Sequence, residues 1–292
     1  MRKTKRQWTK PELSETSGYL KELTYRLRPS KDSFADCSID RCMLRSMLLR
    51  GQYLTELSLK GMREALRRRI KEALDSDLDY EGFLNLILFD EVQYRKNLRR
   101  QRLMKAAGFR SQASLEGITY AKHRNFDKKY IQELATMRFL EDGLNIVITG
   151  ATGVGKTYLA TALGNHICRN GRSVLFLKMN LLLEKIALAR AEGTYLNFLR
   201  RIHATDLLIV DDFGIKALTE QQFQDFYDVL DERENGKSTI LTTQLPSENW
   251  DEVIPDPLVC EAISDRLTAR AIKILVQGPS KRGDEPKRLT DQ

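Results

Sequence analysis

The chain of 292 residues is short of cysteine, histidine and proline, with four, three and seven respectively. It also lacks any apolar run near the roughly 18 residues that a membrane-spanning helix needs. Each shortage excludes something. Cys37 and Cys42 have no matching downstream pair, and Cys168 and Cys260 stand far apart. His123, His166 and His203 are equally scattered, so no zinc-type cluster is expected and all four cysteines read as reduced thiols in a cytosolic protein. The N-terminal stretch from Met1 to Trp8 is basic but leads into no apolar segment, which argues against a secretory signal. No internal repeat or low-complexity tract appears.

Charge is unevenly spread. Residues 1–140 carry 30 Lys and Arg against 18 Asp and Glu, a net of +12, whereas residues 141–292 carry 18 against 22, a net of −4. The basic excess therefore lies ahead of the second half. Such asymmetry points to a polyanionic partner, most often nucleic acid; solvated basic helix faces are the alternative.

Residues 1–40 are polar and basic and read as a flexible arm. From 41 to 110 the pattern is helical. Leu57, Leu59, Met62, Leu66, Ile70 and Leu74 recur at three- and four-residue steps among Arg63, Arg67, Arg68 and Arg69. A second segment, 80–107, is expected to bury Phe83, Leu84, Leu86, Ile87, Leu88 and Val92 before turning basic at Arg95, Lys96, Arg99 and Arg100. Arg63, Arg67 and Arg68, with Arg95, Lys96, Arg99 and Arg100, are the candidates for DNA phosphate contact. Residues 111–143 read as a linker leading into the core, with a helix from Phe126 to about Glu141, capped by Asn125 and ended by Asp142 and Gly143. The core is expected over 144–278 and a tail over 279–292. Strands are expected at 145–149, 173–178, 206–211, 238–243 and 271–276, with helices at 156–169, 180–203 and 219–234. That alternation implies an α/β fold, a five-stranded parallel sheet between helices, behind a small all-helical domain.

Gly150, Ala151, Thr152, Gly153, Val154, Gly155, Lys156 and Thr157 fit the phosphate-loop pattern G-x-x-x-x-G-K-[ST] without mismatch. A buried strand precedes them and a helix follows. Backbone N–H groups would face phosphate oxygens at the positive end of that helix. Lys156 would neutralise the β- and γ-phosphates, and the Thr157 hydroxyl would hold Mg²⁺. ATP and Mg²⁺ are the expected cofactors.

The stretch from Leu207 to Gly214 is an apolar strand ending in two carboxylates. Ligands lie at the carboxyl ends of parallel strands, so both acids should emerge beside the phosphate loop. Asp211 is expected to orient the Mg²⁺ shell and Asp212 to polarise the attacking water. Ser238 to Gln244 form a strand with a polar end that resembles the sensor-1 strand of AAA+ ATPases; Gln244 aligns best and Thr243 second. Arg266, in Asp265-Arg266-Leu267, resembles the arginine finger offered to a neighbouring subunit, a task suited to a planar, permanently charged group. A surface arginine paired with Asp265 or Glu261 is the alternative.

The order of these motifs, with Leu59 to Leu66, Tyr80 to Leu84, the stretch from Leu245 to Trp250, then Asp256-Pro257 and Asp265-Arg266-Leu267, resembles the IstB-like helper ATPases of insertion sequences. These are relatives of DnaC-type helicase loaders and DnaA-type initiators. The resemblance runs from about Leu57 to Val276. It implies a P-loop AAA+ core and an ATPase that assembles as an ATP-dependent homo-oligomer on duplex DNA, deforms it, and recruits or stimulates the transposase of the same element. It further implies a bacterial cytoplasmic protein, nucleoid-associated when on DNA, with no membrane partner. Only 26 residues follow Arg266, so the helical lid of many AAA+ proteins is expected to be reduced or absent. Aspartate at 212, where glutamate is commoner in AAA+ proteins, implies slow hydrolysis. A DnaC-like helicase loader acting in replication initiation is the alternative.

Overall fold

A computed structural model describes residues 51–76, 78–118, 120, 128–234 and 236–280. The expected arm, the Asn125 cap and residues 281–292 lie outside the described residues. The chain divides into two compact units, Met1–Val92 and Gln93–Gln292.

In the first unit, α1 (Lys60–Asp75) is followed by α2 (Tyr80–Ala107), which continues into the second. Gly61, Met62 and Ala65 of α1 are buried. The buried Glu91 accepts the Met62 N–H at 3.0 Å, satisfying a first-turn donor that has no partner within its own helix. Arg69 is not a solvated cation. Its guanidinium meets Asp90 twice, at 2.7 and 2.9 Å, and Glu72 at 2.7 Å. The Asp90 hydrogen bond is the larger cause that raises the Arg69 pKa. Ile87 is buried, but Leu84, Leu88 and Val92, expected inside, are exposed. Among the described residues α1 meets α2 at Asp90 and Glu91, while these three side chains remain in solvent.

The second unit is built on five parallel strands: β1 (Asn145–Thr149), β2 (Val174–Lys178), β3 (Leu207–Phe213), β4 (Ser238–Thr243) and β5 (Ala271–Leu275). Their order in space is β2-β3-β4-β1-β5. Alternate residues of one strand face opposite sides of a sheet, which gives two cores. Val147, Leu208, Val210 and Leu241 join one; Ile146, Ile148, Leu207, Ile209 and Ile240 join the other.

The helices of this unit are α3 (Lys128–Ala135), α4 (Arg138–Glu141), α5 (Lys156–Arg169), α6 (Met179–Ala191), α7 (Tyr195–His203), α8 (Glu220–Arg233) and α9 (Pro257–Thr268). Two expected single helices are broken. The one ending at Glu141 is interrupted at Met137, which takes a left-handed conformation with φ of 63°. The one over 180–203 stops at Ala191 because Gly193, with φ of 68°, turns the chain before α7. Thr219 and Gln222 form a reciprocal capping box on α8. Asp256 caps α9, with Pro257 opening it. Trp250, in the 3₁₀ turn Ser247–Glu252, is fully buried and meets the Phe213 ring edge-on at 5.0 Å. That contact anchors the strand end that carries the two acids.

Candidate functional site: a phosphate loop beside two acids

The strand order puts β4 between β1 and β3, so the loop after β1 and the acids of β3 share the carboxyl edge of the sheet. Gly150 starts the loop so close to β5 that a Cβ there would collide with the Val276 carbonyl oxygen. Gly155, with φ of 104°, begins α5 and offers no side-chain cap. The positive end of α5 thus faces the loop with no side chain of the N-cap residue over it, as an anion-binding helix start requires. Lys156 is buried and donates to the Gly150 and Ala151 carbonyls at 2.8 and 2.9 Å.

The Thr157 hydroxyl donates to Asp211 Oδ1 at 2.8 Å. The Thr242 hydroxyl donates to the same oxygen at 2.6 Å and accepts the Asp212 N–H at 3.1 Å. Asp211 is fully buried, and its second oxygen, Oδ2, is buried without a hydrogen-bond partner. Burial pushes this carboxyl above its ordinary range, against the two hydroxyl bonds; the Asp212 charge adds to the rise. An orphaned carboxylate oxygen beside a threonine hydroxyl fits a hard divalent cation that keeps much of its water. Among the described residues no group of three or more His, Cys, Asp and Glu gathers to hold a metal. Asp211 and the Thr157 hydroxyl are the donors that would hold such an ion.

Asp212 sits at an irregularity where β3 carries one more residue than β4 between paired positions. Its φ is 63°, a left-handed conformation costing about 1–2 kcal/mol for an L-residue, and least for aspartate and asparagine. The bend aims its carboxylate at Lys178, the last residue of β2, whose Nζ lies 2.6 Å from Asp212 Oδ2. Sequence reasoning missed Lys178 and Thr242. Two consecutive threonines ending an aliphatic strand were the available signal for Thr242; nothing local marks Lys178.

The two sensor candidates separate. Gln244 Oε1 accepts from the Thr152 hydroxyl at 2.8 Å, joining the β4 end to the phosphate loop. The Thr243 hydroxyl instead accepts the Leu245 N–H at 3.0 Å within its own turn.

Arg266 is not brought to these groups. It lies near the end of α9, where its carbonyl accepts Asn145 Nδ2 at 2.8 Å at the start of β1. β1 is five residues long, so the phosphate loop begins roughly 13 Å away along the strand. The guanidinium rests over the Tyr227 ring at 4.4 Å and meets Asp231 at 2.7 Å and Glu234 at 3.3 Å. Burial works against its charge, but the Asp231 hydrogen bond and neighbouring acids raise its pKa overall. The alternative partners Asp265 and Glu261 are not the ones used.

The DNA candidates are exposed but belong to different units: Arg63, Arg67 and Arg68 to the first, Arg95, Lys96, Arg99 and Arg100 to the second. Arg68 approaches Asp90 at 3.4 Å. Among the described residues no helix is long and apolar enough to cross a membrane. Cys168 and Cys260 are free and buried; Cys37 and Cys42 fall outside the described residues.

A family model for the IstB-like ATP binding protein matches residues 52–288. An insertion sequence ATP-binding protein of Sinorhizobium fredii is 34% identical over 232 residues, covering 80% of this chain and 95% of that relative. One from Mycobacterium tuberculosis is 31% identical, covering 78% of this chain and 92% of the relative. Among solved structures, DnaI covers 57% of this chain and 92% of its own, with a TM-score of 0.49 and 22% identity. The DnaC helicase loader covers 56% of this chain and 97% of its own, with a TM-score of 0.47 and 22% identity.

Proposed function

The chain belongs to the IstB-like ATP-binding protein family, and from that premise we propose that it is the ATP-driven helper of an insertion-sequence transposase. It is a P-loop AAA+ ATPase. On this reading it assembles as a homo-oligomer on duplex DNA when ATP is bound. It deforms that DNA, recruits or stimulates the transposase of its element, and is reset by hydrolysis.

The observation that carries the reading is the Thr157–Asp211 contact at 2.8 Å with the buried, unpartnered Asp211 Oδ2 beside it. Thr157 and Asp211 would hold Mg²⁺, which supplies charge neutralisation at the β- and γ-phosphate oxygens. Lys156 would exchange its loop carbonyls for phosphate oxygens. Asp212 is the candidate for positioning the attacking water, once its carboxylate turns from Lys178. Gln244, bonded to Thr152, is the better sensor candidate because Thr243 is engaged in its own turn.

Arg266 is proposed as a finger acting on a neighbour's nucleotide. Its place at the amino edge of the sheet supports a role in trans, since its own phosphate loop lies at the other edge. Asp231 and Glu234 would hold it extended and charged until a partner docks.

The test is electron microscopy of the protein on duplex DNA with Mg²⁺, with and without ATP, beside a Lys156→Ala variant. ATP-dependent multimers that vanish in the variant are expected. Identical DNA binding with and without nucleotide would contradict the proposal.

A further inference from the structure

We propose that the backbone of duplex DNA runs over the ATPase unit itself, along Lys96 and Arg100 of α2 and into a groove flanked by Arg110 and Arg169. The proposal rests on the DNA-binding reading above and gives it a place on the α5 side of the nucleotide unit.

Between Glu91 and Glu116 the chain carries seven Lys and Arg and no acid. Most of this stretch is the second half of α2, within the ATPase unit. One side of that half is fixed. Ala107 is fully buried, and Leu103 and Met104 pack against the core that holds Ile167, Cys168 and Val174. Lys96, Arg100 and Met104 follow at four-residue steps, so they form one row, about 5–6 Å from one to the next. Lys96 and Arg100 are exposed.

Met104 ends that row in a groove of about 670 Å³. Its other walls are the segment from Phe109 to Ser114 and the face of α5 bearing Tyr158, Asn165 and Arg169. Arg110 and Arg169 both line it and both are exposed. The basic row thus continues into a concave, basic recess, which suits a continuous polyanion with regularly spaced charges. An acidic protein surface is a different occupant, and the test below separates it.

The groove is stitched to the nucleotide helix. Asn165 Nδ2 donates to the Ala113 carbonyl at 2.6 Å. The Tyr158 hydroxyl donates to the Ser114 carbonyl at 3.3 Å. Phe109 packs on Phe176 with ring centroids 6.1 Å apart. Tyr158 directly follows Thr157, so a load on the Arg110 segment reaches the first turn of α5. DNA engaged here and nucleotide bound at Lys156 would therefore bias one another.

The experiment measures anisotropy of a fluorescein-labelled duplex with the full chain, ATP and Mg²⁺ across a salt series. The variants are Arg110→Ala/Arg169→Ala and Arg110→Lys/Arg169→Lys, with thermal midpoints confirming that each is folded. Two lost phosphate contacts should flatten the slope of log K against log salt by about 1.8 and weaken binding at physiological salt at least about tenfold. The lysine pair should keep the wild-type slope. An unchanged slope in the alanine pair overturns the proposal. So does an alanine pair that binds DNA normally but loses a purified transposase partner, which would assign the groove to an acidic protein surface. A wild-type chain with no salt-dependent binding also overturns it, and only that result removes the DNA reading as a whole.

Discussion

Lys178 and Asp212 form an ion pair at 2.6 Å although the strand register sets Lys178 opposite Asp211. The extra residue in β3 and the left-handed Asp212 backbone turn the second acid toward β2. A carboxylate whose Oδ2 is engaged by Lys178 is turned away from a water at the phosphate loop. Asp211 is thus fixed by Thr157 and Thr242 while Asp212 is held by Lys178; under the proposed roles, the metal-side acid is set and the water-side acid is held back.

Removing the lysine should release that acid. In Lys178→Met, basal phosphate release should rise about three- to tenfold, a part of the roughly 10²–10⁴ a general base contributes. Asp212→Asn should lose most turnover and still bind ATP. Steady-state phosphate release with parallel nucleotide binding measures both. Unchanged or lower turnover in Lys178→Met would show that the pair supports catalysis instead of holding it.

Thr242 grips both acids, through its hydroxyl to Asp211 and its oxygen to the Asp212 N–H. Thr242→Val leaves the Asp212 N–H without its acceptor, at a cost of about 1–3 kcal/mol. The Mg²⁺ concentration for half-maximal hydrolysis should rise and the ATP KM should move little. Thr242→Ser should restore both. A Mg²⁺ titration of ATPase activity distinguishes this from a general loss of packing.

Arg233 is 1% exposed and donates to the Ile202, Thr205 and Ser238 carbonyls at 2.7, 3.0 and 2.6 Å. It ties α8 to the ends of two strand connections. Arg233→Met would strand several buried carbonyls, each costing about 1–3 kcal/mol. A fall in Tm of roughly 6–12 °C is expected for a domain of this size. Arg233→Lys should not rescue it, because an ammonium cannot span the same fork of acceptors. Calorimetry of the three proteins decides the matter.

Asp206 fixes the start of β2, accepting the Ser173 N–H at 2.8 Å and the Ser173 hydroxyl at 2.7 Å. Burial opposes its charge, but these bonds with Lys237 and Arg172 hold its pKa below the ordinary value. A depressed carboxylate stabilises the fold above its unfolded pKa of about 3.9, and that stability is lost as pH falls toward the lower folded value. Asp206→Asn should therefore be less stable than wild type at neutral pH, with the gap closing as the solution is acidified below about pH 4. Denaturant melts across that range measure the closing gap.

The strands and the phosphate loop were legible because each rests on contiguous residues. Leu207 to Val210 form one aliphatic run, as a strand buried on both faces requires. Gly150 to Thr157 carry their spacing within eight positions. The partners of the acids were not legible in this way. Lys178 reaches Asp212 through the β2–β3 pairing and a bulge, and Thr242 reaches Asp211 through the β3–β4 pairing. Such contacts are set by register, which a one-dimensional pattern does not carry. Leu84, Leu88 and Val92 show the reverse limit. Their apolarity was plain, but whether anything covers them depends on packing partners outside their own helix.

The central claim is that hydrolysis occurs at a site completed by Arg266 of a neighbouring subunit on DNA. It is tested most directly by mixing two variants expected to lose turnover but bind ATP, Asp212→Asn and Arg266→Ala, on duplex DNA with ATP and Mg²⁺ and measuring phosphate release. The first keeps the finger but not the water-side acid; the second keeps the acid but not the finger. Recovery of activity in the mixture, absent from either variant alone, is the predicted result. Normal turnover by Arg266→Ala alone, or no recovery on mixing when both variants assemble, would contradict the account.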